Sequence, residues 1–437
     1  MENKKRKKRK LTQYYGFKTF VCVLVVLAVA LGLWIFNPDR GKDVPVDGKP
    51  EKTTVETTSD TFEEISVTIG STGDILMHSP ILKYHQKSDG SYDFSDIFKY
   101  STDLYSSYDY MVANLEVTCA GDEYAYTGYP CFNCPDNIVT CLKNSGVDLL
   151  LTANNHSYDT SVHGFNRTRE LVRDSGLDQT GTFASGDKRY IVKDIKGIKI
   201  GIINYTYETV ASEGRKALNG ILMSTDVQDN INTFDYTDLD SFYSDIEKNI
   251  KDMRIDGAEA IMVYMHWGDE YVLSPNDYQK KMAQKICDLG ADVIVGGHPH
   301  VVEPIEILSS EVTGKQTVCL YSMGNAVSNQ FAARMNLKTG HTEDGLVFET
   351  TFKRLEDGSV ILDKIDVTPT WANRFSTGNG AKYMILPLPK GENLEEKYSS
   401  IGRSFEIENS YKRTMDLVTD GVEAFKTEYV KTDLRIK

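Results

Sequence analysis

The sequence predicts an α/β fold, a sandwich of mixed β-sheets flanked by helices, standing behind one N-terminal transmembrane helix. Three observations predict it. Strand and helix patterns alternate from Ile65 to about residue 300, the order that parallel strands with outer helices require. Hairpin signals come later in the chain and add antiparallel strands. One uninterrupted apolar run lies near the N-terminus. The 437 residues are 40% hydrophobic, 26% charged and 10% aromatic, which excludes a wholly disordered, collagen-like or polytopic membrane chain.

The N-terminal elements follow from charge and hydropathy. Residues 1–18 hold eight Lys or Arg and one acid, a net +7; taken from the overall −14, this leaves −21 on the rest. An acidic body argues against a nucleic-acid partner. Phe20–Phe36 is a run of 17 residues without a polar side chain, the lower limit for a bilayer-spanning helix. Ala28-Val29-Ala30 has the small-x-small pattern of a signal-peptide cleavage site, but cutting there would leave an apolar LGLWIF at the new N-terminus. The expectation is therefore a cytoplasmic basic tail over 1–18, an uncleaved anchor over 19–37, and an exported remainder, by the positive-inside rule. That describes a single-pass protein of the cell membrane with its C-terminal domain extracellular. Residues 38–61, with three prolines and no aromatics, read as a flexible linker. The folded domain is expected over 62–370, with a C-terminal extension over 371–437 packing on or near it.

Within the domain, Ile65, Val67 and Ile69 alternate as a strand, Gly70-Ser71-Thr72-Gly73-Asp74 reads as a turn, and helical patterning covers Ile97 to Leu104. Strands at 110–113 and 147–151 flank a helix at 135–144, and a helix near 163–175 follows. Strands 189–195 and 198–204 meet at Lys196-Gly197, and a polar insertion occupies 208–235. A helix near 238–254, a strand at 260–265, a helix at 275–289 and a strand at 292–295 complete the alternation. Glu356-Asp357-Gly358 then joins strand-like runs 345–354 and 359–367, and an amphipathic helix lies near 411–427. Of seven cysteines, Cys119, Cys131, Cys134 and Cys141 cluster within 23 residues. An exported chain favours two disulfides among them, with zinc ligation or four reduced thiols as the alternatives.

In α/β sheets, ligands gather at the carboxyl ends of the strands. Asp74, Glu116, Asn155-His156, His266 and His298-x-His300 all fall there, and they include four of the chain's eight histidines. Carboxylate, amide and imidazole together form the ligand mixture that borderline-hard divalent metals accept. Two such metals about 3.5 to 4 Å apart could share a carboxylate and clamp a phosphoryl oxygen for hydrolysis.

The set Gly73-Asp74, Asn114-Leu115-Glu116, Ala153-Asn154-Asn155-His156 with Asp159, His266-Trp267-Gly268 with Glu270, Gly297-His298-Pro299-His300 and Ser322-Met323-Gly324-Asn325 resembles the ordered motifs of the bacterial capsule synthesis proteins of the poly-γ-glutamate type (CapA/PgsA). That family is similar in turn to calcineurin-like metallophosphoesterases, which implies two mixed β-sheets flanked by helices. By this resemblance two divalent metal ions (Mn, Zn or Fe) would be held by Asp74, Glu116, Asn155, His266, His298 and His300. His156 would be the general acid, and Asp159, Trp267, Glu270 and Asn325 would shape the substrate pocket. One departure stands out: metallophosphoesterases have Asp-x-His in the first motif, whereas Leu76 occupies that place here and the nearest histidine is His78. Two readings follow. One is an exported metal-dependent hydrolase acting on a phosphoester or on the γ-glutamyl amide of an anionic polymer. The other is a noncatalytic scaffold for capsule synthase or exporter subunits in the membrane. A body at −21 repels a polyanion over a Debye length of about 8 Å unless metal or a local basic patch offsets it.

Overall fold

The computed structural model describes residues 64–435, apart from 213, 378–379 and 402. The expected tail, anchor and linker lie outside the described residues, and among the described residues no helix is long and apolar enough to cross a membrane. Strands β1 (Ile65–Ile75), β2 (Tyr110–Leu115), β3 (Leu149–Leu151) and β4 (Asp178–Thr180) alternate with helices α1 (Ser79–His85), α2 (Ser95–Phe98), α3 (Thr102–Tyr105), α4 (Asn137–Asn144) and α5 (Ser161–Asp174). Next come β5 (Ile191–Ile195), β6 (Ile198–Tyr207), β7 (Thr209–Ser212), β8 (Arg215–Leu218), β9 (Ile221–Leu222) and β10 (Thr233–Phe234). Helix α6 (Leu239–Ile255), β11 (Ala260–His266), α7 (Asp277–Asp288), β12 (Val293–Gly297), β13 (Ile305–Ser309), β14 (Gln316–Leu320) and β15 (Asn325–Val327) follow. The chain closes with α8 (Ala332–Met335), β16 (Asp344–Arg354), β17 (Val360–Thr377), β18 (Gly380–Pro387), α9 (Leu394–Lys397) and α10 (Ser404–Glu428).

Among the described residues these strands build two large mixed sheets. The first has the order β18-β17-β16-β1-β2-β3-β4, with β15 also paired to β1; the second runs β10-β6-β11-β12-β14-β13, with β5 on β6. Period-two alternation explains why they stack. In β11, Ala260, Met262 and Tyr264 enter the core between the sheets, whereas Ile261, Val263 and Met265 face the side covered by α6 and α7. In β2, Tyr110 and Val112 point between the sheets while Met111, Ala113 and Leu115 meet α1, α2 and α4. Both faces of each central strand are thus apolar, and the result is a mixed α/β fold with helices outside two packed sheets.

Several expectations need correction. Residues 70–74 are not a turn. β1 continues through them because β16, β2 and β15 supply partners on both sides. The helical run through 97–104 is split into α2 and α3. The polar insertion carries a small sheet, β7-β8-β9, together with β10. The boundary at 370/371 falls inside β17, whose pairing with β16 runs from Arg354↔Val360 to Asp344↔Trp371. Residues beyond it form β18 of the same sheet, and Val418, Val422 and Phe425 of α10 join the inter-sheet core. The four clustered cysteines form no bridges: Cys119, Cys131, Cys134 and Cys141 are free thiols. Cys119, Cys134 and Cys141 sit in the hydrophobic cluster beneath α4, and Cys141 Sγ is committed to Asn137 Oδ1 at 3.2 Å. Burial pushes the Cys119 and Cys134 thiols up and keeps them protonated.

Candidate metal centre

The carboxyl ends of β1, β2, β3, β11 and β12 converge, because the parallel strands of both sheets run toward the same edge. At the end of β1 the register with β2 slips between Thr72 and Asp74, a bulge at Gly73. A Cβ at Gly73 would stand 1.9 Å from the Gly324 carbonyl oxygen, so only glycine lets these two chains meet. Asp74 is thereby aimed into the site. Its Oδ1 accepts from Asn114 Nδ2 at 2.7 Å, and its Oδ2 accepts from the His298 backbone N–H at 3.1 Å. His298 and His300 both hold positive φ, 97° and 56°. Such backbone strain in non-glycine residues concentrates at functional sites.

Asp74, Glu116, His266, His298 and His300 come together with Glu270 in three overlapping groups: Glu116 with His266 and His298, Asp74 with Glu116 and His300, and Glu270 with His298 and His300. The ligand atoms in each lie within 4.8 Å of one another. Asn155 is brought in through His266, whose Nε2 is 2.7 Å from its Oδ1. The donor set fits a divalent cation on a direct observation. Both Glu116 oxygens, His298 Nδ1 and His300 Nδ1 are buried without a hydrogen-bond partner, which is costly for groups that polar unless a ligand completes them. His300 Nδ1 does lie 3.2 Å from Asp74 Oδ2, without the alignment of a hydrogen bond.

The electrostatics agree. Burial raises the Asp74 carboxyl, but His300, His266 and Asn114 outweigh that and hold it below its ordinary value. Burial and the neighbouring imidazoles push His298 well below the usual histidine range. Burial would lower His300 too, but Glu116 and Asp74 outweigh it and raise His300 to about 9. In the absence of a cation, one proton on His300 answers two buried carboxylates.

His156 stands beside this cluster rather than within it. Its Nδ1 is 2.7 Å from Asp159 Oδ2, which also accepts the Phe132 N–H at 2.7 Å, so the proton on Nδ1 is committed and Nε2 is the working nitrogen. Phe132 packs edge-on against the ring at 4.7 Å. Leu76, His78, His156, Glu270, His300 and Arg334 are among the residues around an open cleft of about 390 Å³.

Two of the proposed pocket residues take other places, while Glu270 lines the cleft. Trp267 is fully buried, stacks on Tyr321, and donates from Nε1 to the Tyr321 carbonyl at 3.0 Å, so it supports the core and touches no cleft. Asn325 is fully buried and its Nδ2 donates to the carbonyls of His300 and Thr342 and to Gln330 Oε1, tying loops together. Glu270 is exposed on the cleft wall and has the geometry of a ligand. His78 belongs to none of the three groups. Its Nδ1 accepts the Asn329 N–H at 3.2 Å, and burial pushes it down to about 4. Sequence reasoning missed the amides that orient the ligands. Asn154 Nδ2 donates to Asn114 Oδ1 at 3.2 Å and to the Leu115 carbonyl at 2.9 Å, and Asn219 reaches Asn155 and His156 from the insertion. Asn114 and Asn154 stand inside the quoted motifs, a signal available from the sequence; Asn219 offered only its Asn-Gly turn.

The chain is similar to known capsule proteins. Over 376 residues the chain is 28% identical to the PGA biosynthesis protein CapA of Bacillus subtilis (strain 168), covering 84% of this chain and 88% of that protein. Over 234 residues it is 26% identical to the capsule biosynthesis protein CapA of Bacillus anthracis, covering 53% of this chain and 50% of that one. Among solved structures, the sulfate thiohydrolase SoxB of Thermus thermophilus, in complex with glycerol, aligns with 67% of this chain and 42% of its own at 13% identity and a TM-score of 0.32, a likeness too weak to carry an argument. The profile of the bacterial capsule synthesis protein PGA_cap family matches residues 68–330, more than half of the chain, and the protein belongs to that family.

Proposed function

We propose that this protein serves the synthesis or export of a poly-γ-glutamate-type capsule polymer, with a hydrolase-like site for two divalent metal ions, Mn, Zn or Fe. The observation that carries the metal reading is the buried, unpartnered set of Glu116, His298 and His300 atoms, packed against Asp74 and His266. The capsule reading rests on the family and on the functions named for the two Bacillus relatives. A bound divalent cation supplies Lewis-acid polarisation of a phosphoryl or amide oxygen. The chain's own residues do the rest. Asp74, Glu116, Asn155, His266, His298 and His300 hold the charge, with Glu270 available from the wall. Asp159 holds the His156 Nδ1 proton and supports the ring when it takes up a second proton at Nε2, and that Nε2 proton is the one given to the leaving group in the cleft. The sandwich is read as the calcineurin-like metallophosphoesterase type, and the apolar run Phe20–Phe36 as an anchor holding the domain outside the cell membrane. Arg334, exposed on the cleft wall, gives an anionic substrate local positive charge on an otherwise acidic body.

Elemental analysis of the full-length chain and of a His298→Ala, His300→Ala double variant tests this. Close to two metals per chain, lost in the double variant, is expected; a wild-type chain without metal after reconstitution refutes the metal site. A second reading, a noncatalytic scaffold for synthase or exporter subunits, is favoured by one observation: Leu76 replaces the first-motif histidine and His78 stands outside every ligand group. Metal-loaded protein that turns over neither phosphoester nor γ-glutamyl substrates, and whose His156→Ala variant still supports capsule formation in cells, would decide for the scaffold.

A further inference from the structure

The β8–β9 hairpin is a two-residue turn, Asn219-Gly220, between the paired residues Leu218 and Ile221. Both turn residues have positive φ, 48° and 75°, the requirement of a type I′ turn, which asparagine and glycine meet at little strain. The Gly220 N–H donates to Thr209 Oγ1 at 2.9 Å, tying the tip to β7. Beneath the turn, Leu218 and Met223 are buried against Ala153, Tyr158 and Phe165, and the Ser224 N–H donates to the Tyr158 hydroxyl at 3.0 Å. The insertion is therefore fastened to the segment that carries Asn155 and His156.

The tip itself is exposed, but its side chain reaches inward to two residues that are only 3% and 4% exposed, Asn155 and His156. Asn155 Nδ2 donates to Asn219 Oδ1 at 3.0 Å, while Asn155 Oδ1 points the other way, 2.7 Å from His266 Nε2. An amide whose nitrogen end is engaged in this manner can present only its oxygen to a cation. Asn219 Nδ2 lies 3.2 Å from His156 Nδ1 and 3.5 Å from Nε2, in contact with the ring, so the tip also limits its rotation.

We infer that Asn219 is a positioning residue: the hairpin tip fixes the amide orientation of Asn155 toward the cation and seats the ring of His156 against Asp159. The inference rests on the proposed metal-binding role of Asn155. Residues that orient metal ligands characteristically change metal affinity 10- to 100-fold when removed. The test uses the full-length chain with two variants. Asn219→Gly keeps the left-handed turn and removes the amide; Asn219→Asp keeps the accepting oxygen. Mn²⁺ affinity is measured by titration, and the ring resonances of His156, assigned with His156→Gln, are recorded on ¹⁵N-histidine protein without metal. Asn219→Gly should weaken Mn²⁺ binding by about 10-fold or more and displace the His156 signals, whereas Asn219→Asp should restore the affinity, and both should unfold at the wild-type temperature. Unchanged Mn²⁺ affinity in Asn219→Gly overturns the inference. If the wild type itself binds no Mn²⁺, the metal reading fails separately, and the ring signals decide: signals identical in Asn219→Gly and wild type overturn the positioning role, and displaced signals sustain it.

Discussion

Glu116 is a carboxylate that the protein without a cation holds at a loss. It is fully buried at the end of β2, both oxygens lack a hydrogen-bond partner, and the nearest imidazole nitrogens are His266 Nε2 at 3.5 Å and His300 Nε2 at 4.0 Å. An unsatisfied buried polar group costs about 1–3 kcal/mol, and a charged one more. Glu116→Gln removes the charge at constant shape. Deleting one partner of a buried ion pair ordinarily strands the other, but His300, raised to about 9 by Glu116 together with Asp74, keeps Asp74 as a partner and gives up its proton more readily once the Glu116 charge is gone. In chelator, Glu116→Gln should therefore be more stable than wild type by about 1–3 kcal/mol. With metal the order reverses: at a free concentration of about 100 times Kd the wild type gains about 2.7 kcal/mol, and the variant, short of a ligand common to two of the groups, gains little. Urea unfolding of the full-length chain followed by tryptophan fluorescence, in EDTA and in Mn²⁺, measures both arms. A variant less stable than wild type in EDTA would show that Glu116 is a satisfied structural residue, and a variant stabilised as much as wild type by Mn²⁺ would remove it from the ligand set. Either result refutes the reasoning.

Three further outcomes are expected. Trp267→Ala should lose about 3–5 kcal/mol through the cavity it leaves in the core, while the folded fraction keeps its full metal content; a normal stability with weakened substrate binding would return Trp267 to the pocket. Burial raises the Glu303 carboxyl from 4.5 to about 8, so between these values the folded chain holds a proton that the unfolded chain has released. Its stabilising contribution is complete below the lower value and is lost as pH rises through the upper, with a limit of about 5 kcal/mol at about 1.4 kcal/mol per pH unit. Gln279 Nε2 already donates to Glu303 Oε2 at 2.7 Å, so Glu303→Gln keeps that bond and should flatten the fall in urea stability between pH 5 and 8; an unaltered slope would rule it out. Finally, Arg413 Nε and Nη2 clasp Asp344 at 2.6 and 2.7 Å, and Ser410 adds a third bond at 2.6 Å, joining α10 to β16. Arg413→Met should cost about 3–5 kcal/mol by stranding that buried carboxylate, and adding Asp344→Asn should recover part of the loss; no recovery in the double variant would mean the pair is not what couples the helix to the sheet.

What could be read from the sequence was chemistry that a single segment states by itself: an apolar run ending in a carboxylate or an imidazole, repeated at Asp74, Glu116, His266 and His298. What could not be read was direction. Gly70 to Gly73 look like a turn because their polar side chains find partners remote in the chain, Ser71 Oγ with the Tyr264 hydroxyl at 2.8 Å and Thr72 Oγ1 with the Leu346 carbonyl at 3.4 Å. Trp267 and His266 are neighbours, but the strand's alternation sends one into the cluster behind the sheet and the other into the site, and only the sheet's packing says which. The four clustered cysteines signalled a disulfide framework, yet spacing alone carries no orientation, and three of them point into an apolar layer.

The His298-Pro299-His300 loop joins both limits. Its residue types announced ligands on a rigid turn, but not that both histidines stand at positive φ, a conformation costing on the order of 1–3 kcal/mol each. The bonds that hold it there come from two other strands: Asp74 at the end of β1 accepts the His298 N–H, and Asn325 at the start of β15 donates to the His300 carbonyl. β1 pairs with β15 through these same two residues, Asp74 opposite Asn325. One register therefore sets a candidate ligand and the clamp on two others together, which is why Asn325 belongs to the site although it touches no cleft. A slip of that register by one residue would turn Asp74 to the opposite face and release the loop, so metal binding and the pairing of these two strands stand or fall as one.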